Sequence, residues 1–193
     1  QYEFGVFYCR IPGEKDGSIV SLTQKVIPVL VGDGISTIEK LIDVSDIINK
    51  LAIQEALFDE KDYVPAAGVS VNTLVAASHS RGSMFKDVVY LETPDLLKEI
   101  NRLCTIDGFY FGRLDVRSES IEAFQRGEFE IIEINGATSE MIHIYDSQIT
   151  LLEGLKVLKK QWSLLFKIAA LCRDRSKSIP FFRFISLYRS FYL

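Results

Sequence analysis

The chain has 193 residues, 48% hydrophobic, 25% charged and 11% aromatic, with 5 Pro and 12 Gly, so it is neither disordered nor collagen-like and is long enough to bury a sizeable core. Basic residues number 22 and acidic residues 26, a net charge of −4, which excludes a global field for gathering nucleic acid and leaves any polyanion to a local cluster of Lys, Arg or metal. Three cysteines without CxxC spacing (Cys9, Cys104, Cys172) speak against a secreted disulfide framework and for a reducing cytosol, and two histidines exclude a His-rich zinc site while leaving a hard, oxygen-ligated metal open.

The chain opens at Gln1 directly in an apolar run, without a signal pattern, and reads as starting inside a domain. Residues 2–9 alternate aromatic and β-branched side chains, which predicts a strand. Pro12-Gly13 starts a turn lasting to Gly17. A short strand is expected at 18–22 and a second extended run at Lys25–Val31, with Pro28 marking an edge or an irregularity. Gly32-Asp33-Gly34 is a tight turn, and Ser36 or Thr37 caps a helix whose apolar stripe is Ile38, Leu41 and Ile42. A second helix is expected over 45–57 with Ile47, Leu51 and Leu57 inward. Residues 59–90 alternate short extended pieces with Gly and Ser breaks. Pro94 opens a helix to about Cys104 that buries Leu96, Leu97, Ile100 and Leu103. Phe109–Val116 and Phe129–Ile134 read as strands joined by a charged connection ending in Gly127. A long amphipathic helix over 150–173 carries Leu151, Leu155, Leu158, Trp162, Leu165 and Ala169 at helical spacing. The aromatic and basic tail, 180–193, reads as a terminal helix packed on the domain, and no stretch reaches the length of a membrane span.

The chemistry concentrates in two segments, Gly112-Arg113-Leu114-Asp115-Val116-Arg117 and Ile131-Ile132-Glu133-Ile134-Asn135-Gly136. Alternate residues of a strand share a face, so Arg113, Asp115 and Arg117 point one way, and Glu133 and Asn135 point together. If the strands are neighbours, an Asp, a Glu and an Asn amide oxygen converge, an all-oxygen donor set suited to Mg²⁺ or Mn²⁺ with positions left for phosphate and water. The adjacent arginine supplies a fixed cation for charge on transferring oxygens. The bland alternative is a solvated hairpin face with cross-strand salt bridges. Isolated charges within such apolar runs are costly unless paired or metal-bound, which favours a site.

Arg-x-Asp on one strand and Glu-x-Asn on the next resembles the metal-binding end of the ATP-grasp fold, in its D-alanine–D-alanine ligase-like, carboxylate–amine ligase branch. The resemblance implies an α+β fold, the C-terminal portion of ATP-grasp: a mostly antiparallel sheet carrying the metal site, flanked by helices. It implies a domain over 1–175 that lacks its N-terminal portion, which would lie before Gln1, and a tail over 176–193. By the same resemblance Glu3 looks like the residue that bonds the ATP ribose, and Lys25 like the lysine that reaches the ATP phosphates. Arg113 looks like the arginine on the transferring phosphoryl group, and Asp115, Glu133 and Asn135 like the metal ligands, with Glu133 bridging two ions. The loop Gly136-Ala137-Thr138-Ser139-Glu140 stands where the family binds its acceptor, which makes Ser139 a substrate candidate. The Pro-Gly usual after the Asn segment is replaced by Thr138-Ser139-Glu140, which puts D-alanine specificity in doubt. The implied activity is an ADP-forming ligation through an acylphosphate, with ATP and Mg²⁺ (or Mn²⁺) as cofactors and a small-molecule or peptide carboxylate and an amine as substrates. A cytoplasmic location, no nucleic acid and no membrane partner go with it, and homo-oligomerisation is left open. The rival readings are a non-catalytic nucleotide- or metal-binding module and a glycosidase using Asp115 and Glu133, which Asn135 and Arg113 fit poorly.

The loop Ser78-His79-Ser80-Arg81-Gly82 has the small residues and the cation of a segment that orders over phosphate or acyl groups, so His79 and Arg81 are further substrate candidates, against an ordinary surface loop. No Gly-x-Ser-x-Gly elbow accompanies His79, so a serine hydrolase is rejected. Gly32-Asp33-Gly34 lacks the Gly-Lys-Ser/Thr ending of a phosphate loop. His143 reads as a packed or supporting histidine, Phe109, Tyr110 and Phe111 as core, and Lys156, Lys159 and Lys160 as a solvated helix face.

Overall fold

The computed structural model describes residues 1–45, 50–73 and 83–173, and in the tail positions 182, 183, 185, 186 and 189. Its centre is a five-stranded antiparallel sheet of β1 (Tyr2–Cys9), β2 (Ser18–Val26), β5 (Met84–Asp87), β6 (Phe111–Ser118) and β7 (Glu130–Asn135), in the order β5-β2-β1-β6-β7. A separate two-stranded ribbon pairs β3 (Val29–Val31) with β4 (Ser70–Asn72). The helices are α1 (Ile38–Val44), α2 (Lys50–Ala56), α3 (Pro94–Leu103), α4 (Ile121–Gln125) and α5 (Leu151–Cys172), so the class is α+β.

Strand alternation sorts the sheet into two faces. Phe4, Val6, Tyr8, Leu22, Leu114 and Val116 form an apolar layer against Leu96 and Ile100 of α3 and Phe124 of α4. Phe4 and Phe124 stack with ring centroids 3.8 Å apart. α3 starts as expected: Thr93 accepts from Leu96 N–H at 3.1 Å, and Pro94 occupies the first turn, where its missing N–H costs nothing. α4 lies in the connection expected only to be charged; Ser120 caps it by accepting from Ala123 N–H.

The opposite face is polar over most of its area. At one end Phe7, Cys9, Phe111, Met141 and Ile168 of α5 close a second core. A reciprocal capping box, Thr150 with Glu153, starts α5. Its buried line runs through Gln161 and Ile168, with Val157, Leu164 and Leu165 half-buried, rather than through Leu151, Leu155 and Trp162, which are exposed. The inward stripe is turned by about one residue, roughly 100° of helix, from the expected one. Apolar residues flank both lines, and a single glutamine sits where the expected stripe had no place for a polar group.

Two further expectations are corrected. β2 runs unbroken to Val26; Pro28, which has no N–H to donate, stands where the chain leaves the sheet for β3. In α2 Leu51 points out, and Ile53 joins Leu30, Ile38, Leu41 and Ile42 in a small core of its own. Ile47 lies outside the described residues. Thr37 is the cap of α1, accepting from Lys40 N–H, and Gly34 (φ +77°) supplies the left-handed residue of the preceding turn. All three cysteines are free. The described tail positions are helical, and Phe182 is exposed; the rest of the tail lies outside the described residues. Among the described residues no helix is long and apolar enough to cross a membrane.

Gly112 has a packing role on the apolar side of β6, one residue before Arg113. A Cβ there would run into the Asn135 carbonyl oxygen and lie 2.9 Å from the Phe109 ring. Gly112→Ala is therefore expected to push the end of β7 away and cost about 1–3 kcal/mol, read as a lowered urea midpoint.

Candidate functional site

The antiparallel register lays the polar face out as rows across the sheet. One row runs Asp87, Thr23, Gly5, Asp115, Glu133; a second runs Lys25, Glu3, Arg117, Glu130; a third runs Ser21, Phe7, Arg113, Asn135. Glu133 stands on this face in step with Asn135, and β7 bulges just beyond it, between the partners of Asp115 and Val116. By plain alternation Ile131 and Glu133 would share a face. With Ile132 as the extra residue, Ile131 opposes Val116 on the apolar side and Glu133 opposes Asp115 on the polar side.

Asp115 is the centre of the arrangement and is 3% exposed. Its Oδ1 lies 3.2 Å from Lys25 Nζ and 3.0 Å from Arg113 Nε, while its Oδ2 accepts from Arg113 Nη2 at 3.3 Å and Asn135 Nδ2 at 3.3 Å. Lys25 sits two strands away on β2 and spans β1 to reach this carboxylate. Gly5 on β1 has no side chain to fill that span; a Cβ there would lie 3.4 Å from Asp115 Oδ1, 3.3 Å from Arg113 Cδ and 2.9 Å from Ile142 Cδ1. In the neighbouring row Arg117 Nη2 donates to Glu3 Oε1 at 2.6 Å. Glu133 is exposed and makes no ion pair among the described residues.

The loop after Asn135 folds onto Arg113. Arg113 Nη1 donates to the Glu140 carbonyl at 3.1 Å, and Tyr145 OH donates to Glu140 Oε2 at 2.7 Å. Ser139 is buried, and its hydroxyl donates to the Gly136 carbonyl at 2.6 Å, so it closes the loop from within. The 3-10 turn Ile142–Tyr145 then straps the loop to the sheet. Within it His143 is buried, its Nδ1 2.6 Å from Ser21 Oγ, and beyond it Asp146 Oδ2 accepts from Asp87 N–H at 2.8 Å. The segment carrying His79 and Arg81 lies outside the described residues.

Burial holds the His143 pKa below the ordinary histidine value; Asp87 and Asp146 pull it up, Asp87 more strongly, and Lys160 pushes it down. The unfolded chain therefore takes up a proton at a higher pH than the folded one. The stability contributed by neutral His143 is present above about pH 6.5 and is lost as pH falls toward the lowered folded value. A thermal midpoint that drops between neutral pH and pH 5.5 is expected, with a shallower drop in His143→Gln.

A divalent cation would meet hard oxygen donors here: the Asp115 and Glu133 carboxylates face each other in register, and Asn135 adds an amide. Among the described residues no three His, Cys, Asp or Glu side chains cluster as a metal site. Two carboxylates and an amide suit an ion that keeps waters and phosphate oxygens in its shell, as Mg²⁺ does. Asn135 turns its amide nitrogen toward Asp115; the other amide orientation brings its oxygen there instead, and the two are told apart only by the hydrogen-bond network. The donor set fits the ion.

Sequence reasoning did not single out Gly5, Ser21 or Gln161. A glycine within an otherwise bulky strand and a glutamine on an apolar helix face were the available signals.

No family model and no curated protein matches the chain. A structural match covers 84% of this chain with 24% of a bifunctional glutathione synthetase from Pasteurella multocida, at a TM-score of 0.51 and 16% identity. The chain spans about a quarter of the length of that structure. The likeness is one of fold: an antiparallel sheet flanked by helices, the C-terminal portion of the ATP-grasp fold.

Proposed function

We propose that the chain is the nucleotide- and metal-bearing part of an ATP-dependent, ADP-forming carboxylate–amine (or related) ligase that works through an acylphosphate. The observation that carries this reading is the single sheet face on which a buried Asp115 meets Lys25, Arg113 and Asn135, with Glu133 opposite it in register. The fold shared with a glutathione synthetase supports ligase chemistry.

Asp115, Glu133 and Asn135 would hold Mg²⁺ or Mn²⁺ through their side-chain oxygens. When bound, the ions supply neutralisation of charge on the β- and γ-phosphates. Lys25 and Arg113 hold the transferring oxygens. Both cations are neutralised by Asp115, which keeps them at one point of the sheet and limits the rearrangement that phosphate binding demands. Glu3, held by Arg117, is proposed to accept from the ribose hydroxyls. The loop 136–140, pinned to Arg113 through the Glu140 carbonyl, would present the acceptor beside the phosphoryl group. The N-terminal portion of the same fold, a carboxylate and an amine are the proposed partners, and three free cysteines support a cytoplasmic setting.

A second reading is a module that binds Mg-ATP without turnover, in which the pairing of Asp115 with Lys25 and Arg113 serves binding alone. Calorimetric titration with Mg-ATP, followed by an ADP-release assay across carboxylates and amines, separates the two. Binding with carboxylate-dependent ADP release is the expected result; binding alone selects the module; no binding rejects both.

A further inference from the structure

Gln161 is 3% exposed and lies on the buried side of α5. Both ends of its amide are used on the loop. Oε1 accepts from Met141 N–H at 2.8 Å, and Nε2 donates to the Ser139 carbonyl at 3.1 Å. Met141 N–H and the Glu140 carbonyl belong to one planar peptide unit and point in opposite directions. The Glu140 carbonyl is the group that accepts from Arg113 Nη1. Gln161 and Arg113 therefore grip the two ends of the same rigid plate, and turning the plate breaks both bonds.

From this geometry we infer that Gln161 is a positioning residue for Arg113, acting through the Glu140–Met141 peptide. Asp115 holds Nε and Nη2 of the guanidinium, and the Glu140 carbonyl holds Nη1, so three of its five N–H groups are directed. The relay of amides, from the Gln161 carbonyl through the peptide to the guanidinium, polarises each hydrogen bond in the same sense. Without the grip on Met141 N–H the plate is free to rotate, Nη1 loses its acceptor, and the guanidinium swings about Asp115 alone. The consequence for function rests on the assignment of Arg113 to the phosphoryl site proposed above.

The test uses the full chain with Gln161→Met, which keeps the length and loses both bonds, and Gln161→Glu, which keeps the acceptor for Met141 N–H. Proton exchange at Arg113 Nε and Met141 N is followed by NMR, with the Val6 and Val116 amides as the control for the fold, and Mg-ATP affinity is measured by calorimetry. In Gln161→Met the Arg113 and Met141 protons are expected to exchange about tenfold faster with the control amides unchanged. Mg-ATP affinity is expected to fall by about tenfold, as for loss of a group that supports a direct ligand. Gln161→Glu is expected to keep the Arg113 proton close to the wild-type rate. Should Gln161→Met fail to fold, Gln161→Asn, withdrawn by one methylene, carries the same expectation. Unchanged Arg113 exchange, or an increase shared equally by Val6 and Val116, overturns the inference. A wild-type chain that binds no Mg-ATP overturns the functional reading instead, and Arg113 exchange still decides the coupling.

Discussion

Asp115→Asn is expected to lower both the stability of the chain and its affinity for Mg-ATP. The carboxylate is buried and is the shared partner of two cations whose side chains are themselves only 12% and 16% exposed. The neutral amide leaves Lys25 and Arg113 facing each other with no charge between them. Breaking a buried pair in this way costs about 3 kcal/mol or more, because the remaining charge stays desolvated. A denaturant midpoint lowered without a change in slope would report that loss. Nucleotide affinity should fall by about 100-fold, since one metal ligand and the anchor of both phosphate cations disappear together. A variant with unchanged stability and unchanged Mg-ATP binding would refute the central role given to Asp115.

Glu133→Gln is expected to show the opposite signature: the fold intact, the chemistry gone. Glu133 is exposed on an edge strand and makes no ion pair among the described residues, so stability should stay within about 0.5 kcal/mol of the parent. Carboxylate-dependent ADP release should fall by about 10²–10³-fold, the scale of losing one group that meets charge in the transition state. Thermal melting and a coupled ADP assay on the same preparation check both halves. Normal turnover by this variant would remove Glu133 from the metal site.

Local signals were legible in the sequence where one short-range force dominates. Alternating aromatic and β-branched residues predict β1, a threonine before Ile38 predicts the start of α1, and Thr93-Pro94 predicts the start of α3. Period-two spacing also placed Arg113 with Asp115 and Glu133 with Asn135, because alternation is a property of each strand taken singly. Where two helix faces are both apolar, spacing no longer decides which turns inward. In α5 the exposed Leu155 and Trp162 belong to one line and the buried Ile168 to the other, and the glutamine between them marks the inward one through hydrogen bonds to a loop about 20 residues earlier. In α2 the choice between Leu51 and Ile53 was made by packing against Leu30 and Ile38, contacts remote in sequence.

The sequence by itself determined β1, the starts of α1 and α3 and, strand by strand, which charged residues share a face. Only the tertiary structure decided that β1 lies between β2 and β6 with Gly5 at the crossing, so that Lys25 reaches Asp115 across β1. It also decided that the loop after Asn135 is held from behind by α5. The reason is range: alternation, capping and turn chemistry act over a few residues, whereas strand order and the meeting of Lys25, Asp115 and Gln161 with their partners depend on closing loops of tens of residues, which no local pattern encodes.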